Sequence, residues 1–374
     1  MKKIKPAGYF LNKGNTYCAN GDFDRAITNY TKAIKIDPTF AEAFFNLAQA
    51  YRCKGDYDHA IANYDKAIEL DPRDAKAYNN RGIVYSDQGE YDLAISDFTN
   101  AIELDPNCAE AYCYRGSVYW HRGEHQRAIS DFNRAIELDP NCADAYQNRG
   151  IAYGVTNKIN RAISDFTKAI ELNPNYAEAY QGRGIFYRET NKIDRAISDF
   201  NRAIELDPNC SVTYLNRGIA FSKKGKQDLA ISDFTKAIEL DPTNAEVYEE
   251  RGYTHSEKGE HDLAISDYSK SIELDPMNTR VYTYRAVAYI KRGDHDLAIA
   301  DFTKVIEQNP EDSQAYKNRG MVYAEMGETT LAKLDFTRAV ELDQHSDLLK
   351  SDAYHFRVPE GEYEDNTGDE YTSQ

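Results

Sequence analysis

Between Ala75 and Cys108 the apolar and small residues Ala77, Tyr78, Gly82 and Tyr85, then Ala94, Phe98 and Ala101, recur at spacings of three, four and seven. That is the period of one face of an α-helix, so the segment holds two amphipathic helical stripes. Gly89 stands between them, where a residue that accepts a left-handed backbone ends the first helix before the second begins. Pro106 follows the second stripe and cannot continue it, because it lacks the backbone N–H. The expected element is a helical hairpin.

The hairpin is copied. Pro38, Pro72, Pro106, Pro140, Pro174, Pro208, Pro242, Pro276 and Pro310 follow one another at a constant interval without a slip, and only Pro6 and Pro359 fall outside the series. The turn slot holds Gly in every unit except for Asn157 and Asn191, and Asn is the other residue that tolerates a left-handed backbone. Alanine fills one slot of the second helix in all ten copies, from Ala26 to Ala332, where a larger side chain would hold the paired helices apart. An aromatic series facing it, from Tyr30, Tyr64 and Phe98 to Phe336, is expected to be buried between helices. A unit of this kind buries its apolar face only by stacking on its neighbours. Ten units span residues 7–346.

On Tyr78, Gly82, Tyr85, Ala94, Phe98, Ala101 and Pro106, and their recurrence in nine other units, the chain resembles the tetratricopeptide repeat (TPR) proteins. The resemblance implies an all-α fold, an α-solenoid in which about ten TPR hairpins form a right-handed superhelix. It also implies that first helices line a concave groove where extended peptides bind. Three departures stand out: Arg in place of Leu beside Gly82, His255 where other units carry Tyr or Phe, and Gln344 where a tenth proline is due. The expected organisation is an N-terminal flank at 1–6, repeats at 7–346, a C-terminal capping segment at 347–357 and an acidic disordered tail at 358–374. The tail expectation rests on six carboxylates beyond Val358 without one Lys or Arg, a composition that cannot bury enough apolar surface to fold.

Units three to ten carry Arg81, Arg115, Arg149, Arg183, Arg217, Arg251, Arg285 and Arg319 on the first helix. The same units carry Asp97, Asp131, Asp165, Asp199, Asp233, Asp267, Asp301 and Asp335 on the second, whereas units one and two lack both types. Two explanations stand at this point: an Arg–Asp ion pair tying helices together, with the guanidinium fork as its geometric reason, or recent duplication of a unit that held both.

In the groove that the resemblance implies, one first-helix slot reads Asn12, Asn46, Asn80, Tyr114, Asn148, Gly182, Asn216, Glu250, Tyr284 and Asn318. Its asparagines resemble the ladder in the repeat region of the O-GlcNAc transferases, whose amides hold a peptide backbone; generic family consensus is the other reading. A side-chain amide suits the role, since it both donates and accepts. The next stripe, Ile83, Ile151, Ile185, Ile219, Val287 and Met321, is expected to pack between helices. Unit four breaks the uniformity with Cys113, Tyr114, Ser117, Trp120 and His121, while Gly154 and Gly182 follow in matching slots. Bulk beside absence suggests a pocket; an incidental aromatic is the competing view. In unit eight Glu246, Glu249, Glu250 and Glu257 fall on one expected helix face, either a solvated surface or a site for a basic peptide segment.

Composition narrows the function. With 62 acidic against 45 basic side chains and a net charge of −17, a nucleic-acid partner would meet repulsion, and Lys2, Lys3 and Lys5 read as a solubilising flank. Neither a signal-peptide core nor an apolar run of membrane-spanning length is present, so a cytoplasmic location and no membrane partner are expected. The six cysteines read as packing or surface thiols without zinc spacing, and Cys108, Cys142 and Cys210 share one slot in different units. No nucleophile turn, phosphate loop or metal spacing is found, so neither enzymatic activity nor a cofactor is expected. The Lys–Asn–Lys–Asn–Arg set that co-chaperone members use on an acidic peptide tail is absent. The resulting expectation is a non-enzymatic scaffold holding a protein or extended peptide. The alternative is a regulatory or substrate-targeting subunit of a separate enzyme, and the oligomeric state is left open.

Overall fold

The structure is a computed structural model that describes the backbone of residues 5–355 and the side chains of residues 5–344. The expected tail at 358–374, and Lys2 and Lys3 of the flank, lie outside the described residues. The chain divides into two compact parts, Met1–Asn209 and Cys210–Gln374. The first holds α1 (Ala7–Ala19), α2 (Phe23–Ile36), α3 (Ala41–Cys53), α4 (Tyr57–Leu70), α5 (Ala75–Asp87), α6 (Tyr91–Leu104), α7 (Ala109–His121), α8 (His125–Leu138), α9 (Ala143–Val155), α10 (Ile159–Leu172), α11 (Ala177–Glu189) and α12 (Ile193–Leu206). The second holds α13 (Ser211–Lys223), α14 (Gln227–Leu240), α15 (Ala245–Glu257), α16 (His261–Leu274), α17 (Thr279–Arg292), α18 (His295–Gln308), α19 (Ser313–Glu325) and α20 (Thr329–His355). In each part consecutive helices pair as hairpins and the hairpins stack in chain order, the arrangement of an α-solenoid.

The turns are fixed by backbone chemistry. Gly89 sits at positive φ between α5 and α6, and Asn157 and Asn191 adopt the same left-handed conformation in the matching slot. Glycine lacks the Cβ that opposes that backbone, and the short Asn side chain tolerates it. The second turn of each unit is shaped by the residue before the proline. Asp105 leaves the helical region for an extended backbone, as the clash with the following proline ring requires. Its carboxylate accepts from Asn107 N–H at 3.1 Å, a bond that stabilises the turn. Asp37, Asp139, Asp207, Asp241 and Asp275 repeat that bond. These carboxylates are turn-forming acceptors.

Packing follows from an exchange of volume between paired helices. The Ala slot is buried in all ten units, and the aromatic slot is buried from Tyr30 to Phe302. Each ring lies against a glycine or alanine of the first helix: a Cβ built on Gly82 would stand 2.9 Å from Phe98, and one on Gly184 would stand 2.6 Å from Phe200. Real Cβ atoms do not approach so closely, so the small residue is required.

The C-terminal end departs from the expectation in two ways. Phe336 is 37% exposed, because no further first helix stands over it among the described residues. Gln344 takes the place of the proline that ends the other second helices. There α20 runs through it to His355 as one continuous helix instead of giving way to a separate capping segment. Residues 356 and 357 of that segment lie outside the described residues.

Because Phe200 is fully buried against Gly184, Phe200→Ala should cost about 3–5 kcal/mol of local stability. Denaturant unfolding monitored by circular dichroism checks this; a loss below about 1 kcal/mol would show that the ring is not packed as described.

Candidate functional site

All eight arginines close on their aspartates. The Nε and Nη2 atoms of Arg81, Arg115, Arg149, Arg183, Arg217, Arg251, Arg285 and Arg319 donate to the two carboxylate oxygens of the aspartate sixteen residues ahead, at 2.7–3.0 Å. The fork ties the two helices of one hairpin. Within each part the remaining nitrogen reaches back to the preceding hairpin: Nη1 of Arg149 donates to Asn133 at 2.7 Å, and those of Arg115, Arg183, Arg251 and Arg319 donate to Thr99, Thr167, Thr235 and Thr303. The expected ion pair is thus present within each of the eight hairpins, with further bonds to the preceding hairpin. In units one and two Asn29 and Asn63 occupy the aspartate slot, and each amide turns back on its own helix, donating to the carbonyl of Arg25 or His59 at 2.7 Å.

The pairs do not come free of desolvation. Burial pushes the Asp97 carboxyl above its usual range even with the Arg81 guanidinium beside it. A half-buried bridge of this kind fixes register more than it adds stability.

With the helices so held, the asparagine slot is largely occupied by bonds within the array. Asn80 and Asn216 donate to the carbonyls of Lys76 and Val212 one turn back, Asn46 donates to Asn15, and Asn318 accepts from Gln314. Asn12 is exposed and Asn216 is buried. Tyr114 stacks on Phe98 at 5.9 Å with 12° between the planes, and Tyr284 lies against Tyr253 and Tyr268.

Asn148, like Asn46, reaches back to the preceding hairpin, which here is unit four. Its Nδ2 donates to Ser117 Oγ at 3.3 Å, and Ser117 Oγ donates to the carbonyl of Cys113. Ser117 stands in the slot that carries isoleucine in Ile83 and Ile151, and the volume it gives up remains open. A cavity of about 110 Å³ is lined by Ser117, Trp120, His121, Phe132, Asn148 and Ile151. Trp120 stands edge-on to His121 at 4.8 Å, and its buried Nε1 makes no hydrogen bond. The source of the hollow differs from the one read in the sequence. Gly154 and Gly182 leave no vacancy: a Cβ on Gly154 would collide with the Phe186 ring, one on Gly182 would stand 2.7 Å from Phe166, and the two rings stack at 5.9 Å.

The unit-eight glutamates do not act as one face. Glu249 is only 3% exposed, and its carboxylate takes Arg280 Nε at 2.7 Å and Asn278 Nδ2 at 3.0 Å. It is a packing ion toward the next hairpin, while Glu246 and Glu257 are exposed and Glu250 is half-buried. The partners that draw Glu249 inward come from another unit, a distinction that charge counting along the helix could not make.

The hairpin lattice has known relatives. Models described as TPR repeat match residues 14–52 and 49–89, and models described as tetratricopeptide repeat match 79–142, 143–176, 177–210, 211–244, 234–266, 279–312 and 302–333. The chain belongs to the tetratricopeptide repeat family. Among solved structures, the pilF protein of Pseudomonas aeruginosa is 21% identical with a TM-score of 0.51, over 58% of this chain and 97% of its own. A TPR protein from Parabacteroides merdae is 22% identical with a TM-score of 0.50, over 66% of this chain and 98% of its own. At these identities the likeness is one of fold. MamA is 33% identical over 43% of this chain and 95% of its own, with a TM-score of 0.40. No curated protein matches the chain.

Among the described residues no group of His, Cys, Asp and Glu is placed to hold a metal ion, and no helix is long and apolar enough to cross a membrane.

Arg149→Met leaves Asp165 buried without its partner and should cost about 3 kcal/mol, whereas Arg149→Met combined with Asp165→Leu should recover most of that loss. Guanidinium unfolding of both single variants and the double variant checks the coupling, and additive losses would contradict a clamp.

Proposed function

We propose that the chain is a non-enzymatic scaffold that holds a peptide or protein partner along its first helices and anchors one apolar side chain of that partner beside Trp120. The observation that carries this reading is the hollow opened by Ser117. At about 110 Å³ it is far smaller than the roughly 300–1,000 Å³ of a pocket for a free small molecule. It is comparable with a branched aliphatic side chain. Its walls include Phe132, Ile151 and Trp120, which suit such a group, with Asn148 and Ser117 at the same site. Those two polar side chains offer hydrogen bonds to a peptide backbone. Tryptophan in a small pocket is also the residue type that most often dominates binding energy. Family resemblance supports the choice of first helices as the binding side. The support does not extend to a basic segment at unit eight, since Glu249 is already taken by Arg280 and Asn278.

Selection of peptides from a displayed library, followed by fluorescence titration of the sole tryptophan, tests the reading. Selected peptides should share an apolar anchor and shift Trp120 emission, and Trp120→Ala should weaken them by about tenfold or more, equivalent to about 1.4 kcal/mol. Ser117→Ile restores the side chain of other units, fills the hollow and should abolish binding while leaving the fold and the tryptophan in place. Peptides that bind both variants as tightly as the parent would rule the anchor out.

A further inference from the structure

The slot of Cys113 carries Asn79, Gln147, Glu249 and Lys317 in other units. Glu249 shows where that slot points: it accepts from Asn278, the N-cap residue of α17 in the next hairpin. Cys113 and Cys142 occupy the same two slots at the same separation, and Cys142 is the N-cap residue of α9. The contact is realised. Cys113 is buried in the core on which Cys142 packs, and the two thiols lie close enough to interact.

This juxtaposition is particular to one place in the array. Cys108 and Cys210 share the N-cap slot with Cys142, but the residues at the corresponding position in the hairpins before them are Asn79 and Gln181. The two thiols of the pair also differ from each other. The interaction with Cys113, with the backbone N–H of Ala145 at the start of α9, brings the half-buried Cys142 thiol down against the cost of burial. The interaction with Cys142 and burial push the Cys113 thiol up, and burial likewise raises Cys108. A thiol at a helix N-terminus beside a proton donor has the environment of a reactive cysteine, and a protonated neighbour in contact is placed to resolve it.

We propose that Cys142 and Cys113 form a reversible disulfide site, with Cys142 as the attacking thiol and Cys113 as the resolving one, driven by a peroxide. The Cys142 thiolate attacks one oxygen of hydrogen peroxide, the O–O bond breaks, and the departing hydroxide takes up a proton to become water, leaving a sulfenic acid. The Cys113 sulfur then attacks the sulfenic sulfur and gives up its proton; the S–O bond breaks and a second water leaves. Two thiols lose two electrons, and one peroxide becomes two waters. The resulting bond joins α7 to the start of α9 next to the Ser117–Asn148 hydrogen bond. The site stands on this packing and does not depend on the peptide-binding reading.

The test uses the full chain, fully reduced, exposed to graded hydrogen peroxide, quenched by alkylation and mapped by peptide mass spectrometry at all six cysteines. The expected product is a linked Cys113–Cys142 peptide that dithiothreitol removes, formed while Cys108 and Cys210 remain alkylatable. Cys142 should react about tenfold or more faster than Cys108, following its larger thiolate fraction. Cys113→Ser should leave the oxidation at Cys142 but trap it as a sulfenic acid that dimedone labels, and Cys142→Ser should remove the fast phase. Loss of thiols without the linked peptide, or oxidation of Cys108 and Cys210 as fast as Cys142, would overturn the proposal.

Discussion

An aromatic ring on each second helix fills the space that a glycine or alanine on the first helix leaves empty, and the repeating unit is built around that exchange. Phe98 lies so close to the Gly82 backbone that a Cβ there would stand only 2.9 Å from the ring. The ring is therefore a spacer with little tolerance in one direction, which sets the distance between paired helices, and the Ala slot beside it allows the same approach from the other side. Since each hairpin presents the next with the same surface, a distance fixed once is repeated along each part. The exposed Phe336 shows the converse, since a ring without a following hairpin loses part of its enclosure.

The arginine clamp acts on a different coordinate. Ring packing sets how far apart the helices stand but permits sliding along their axes. A bidentate fork that must meet two carboxylate oxygens does not, and in Arg149 it meets them at 2.7 and 2.8 Å. Its third nitrogen carries the same constraint to the preceding hairpin, through Thr, Ser, Asn or Asp. At Arg81–Asp97 burial raises the Asp97 carboxyl against the guanidinium beside it, and for a half-buried pair desolvation offsets attraction, which leaves register as the main effect of the clamp. Units one and two do without it, and there the Asn amides satisfy themselves on their own helix. That keeps a buried polar group paired but ties nothing together.

Legibility followed the difference between contacts inside a unit and contacts across units. The turn at Gly89, the stop at Pro106 and the Arg81–Asp97 pair all lie within one copy, where the repeat itself displays them again and again. Three features escaped because they depend on what a neighbour supplies. Gly154 and Gly182 read as vacancies, yet Phe186 and Phe166 come in to fill them. Glu249 reads as one of a row of surface carboxylates, yet Arg280 and Asn278 of the next hairpin draw it inward. Cys142 shares a slot with Cys108 and Cys210, although its contact is with Cys113, from a different slot in the hairpin before. A spacing of 29 residues has no helical meaning within one unit, and it becomes visible only when the Glu249–Asn278 bond reveals it.

A lattice this regular also explains how one site can be specialised without disturbing the rest. Each hairpin touches only its neighbours, so a change of side chain in one slot is felt one unit away and then stops. Replacing isoleucine by Ser117 in unit four opens a hollow there, while the clamps of Arg115 and Arg149 on either side keep their geometry. The same two first helices, α7 and α9, carry Trp120, the Ser117–Asn148 bond and the Cys113–Cys142 contact. Both the width of the hollow and the reach between the thiols are thus set by one spacing, that of α7 from α9. Cys113 and Ser117 stand one turn apart on α7, joined by the bond from Ser117 Oγ to the Cys113 carbonyl, so the hollow and the thiol contact share one stretch of that helix.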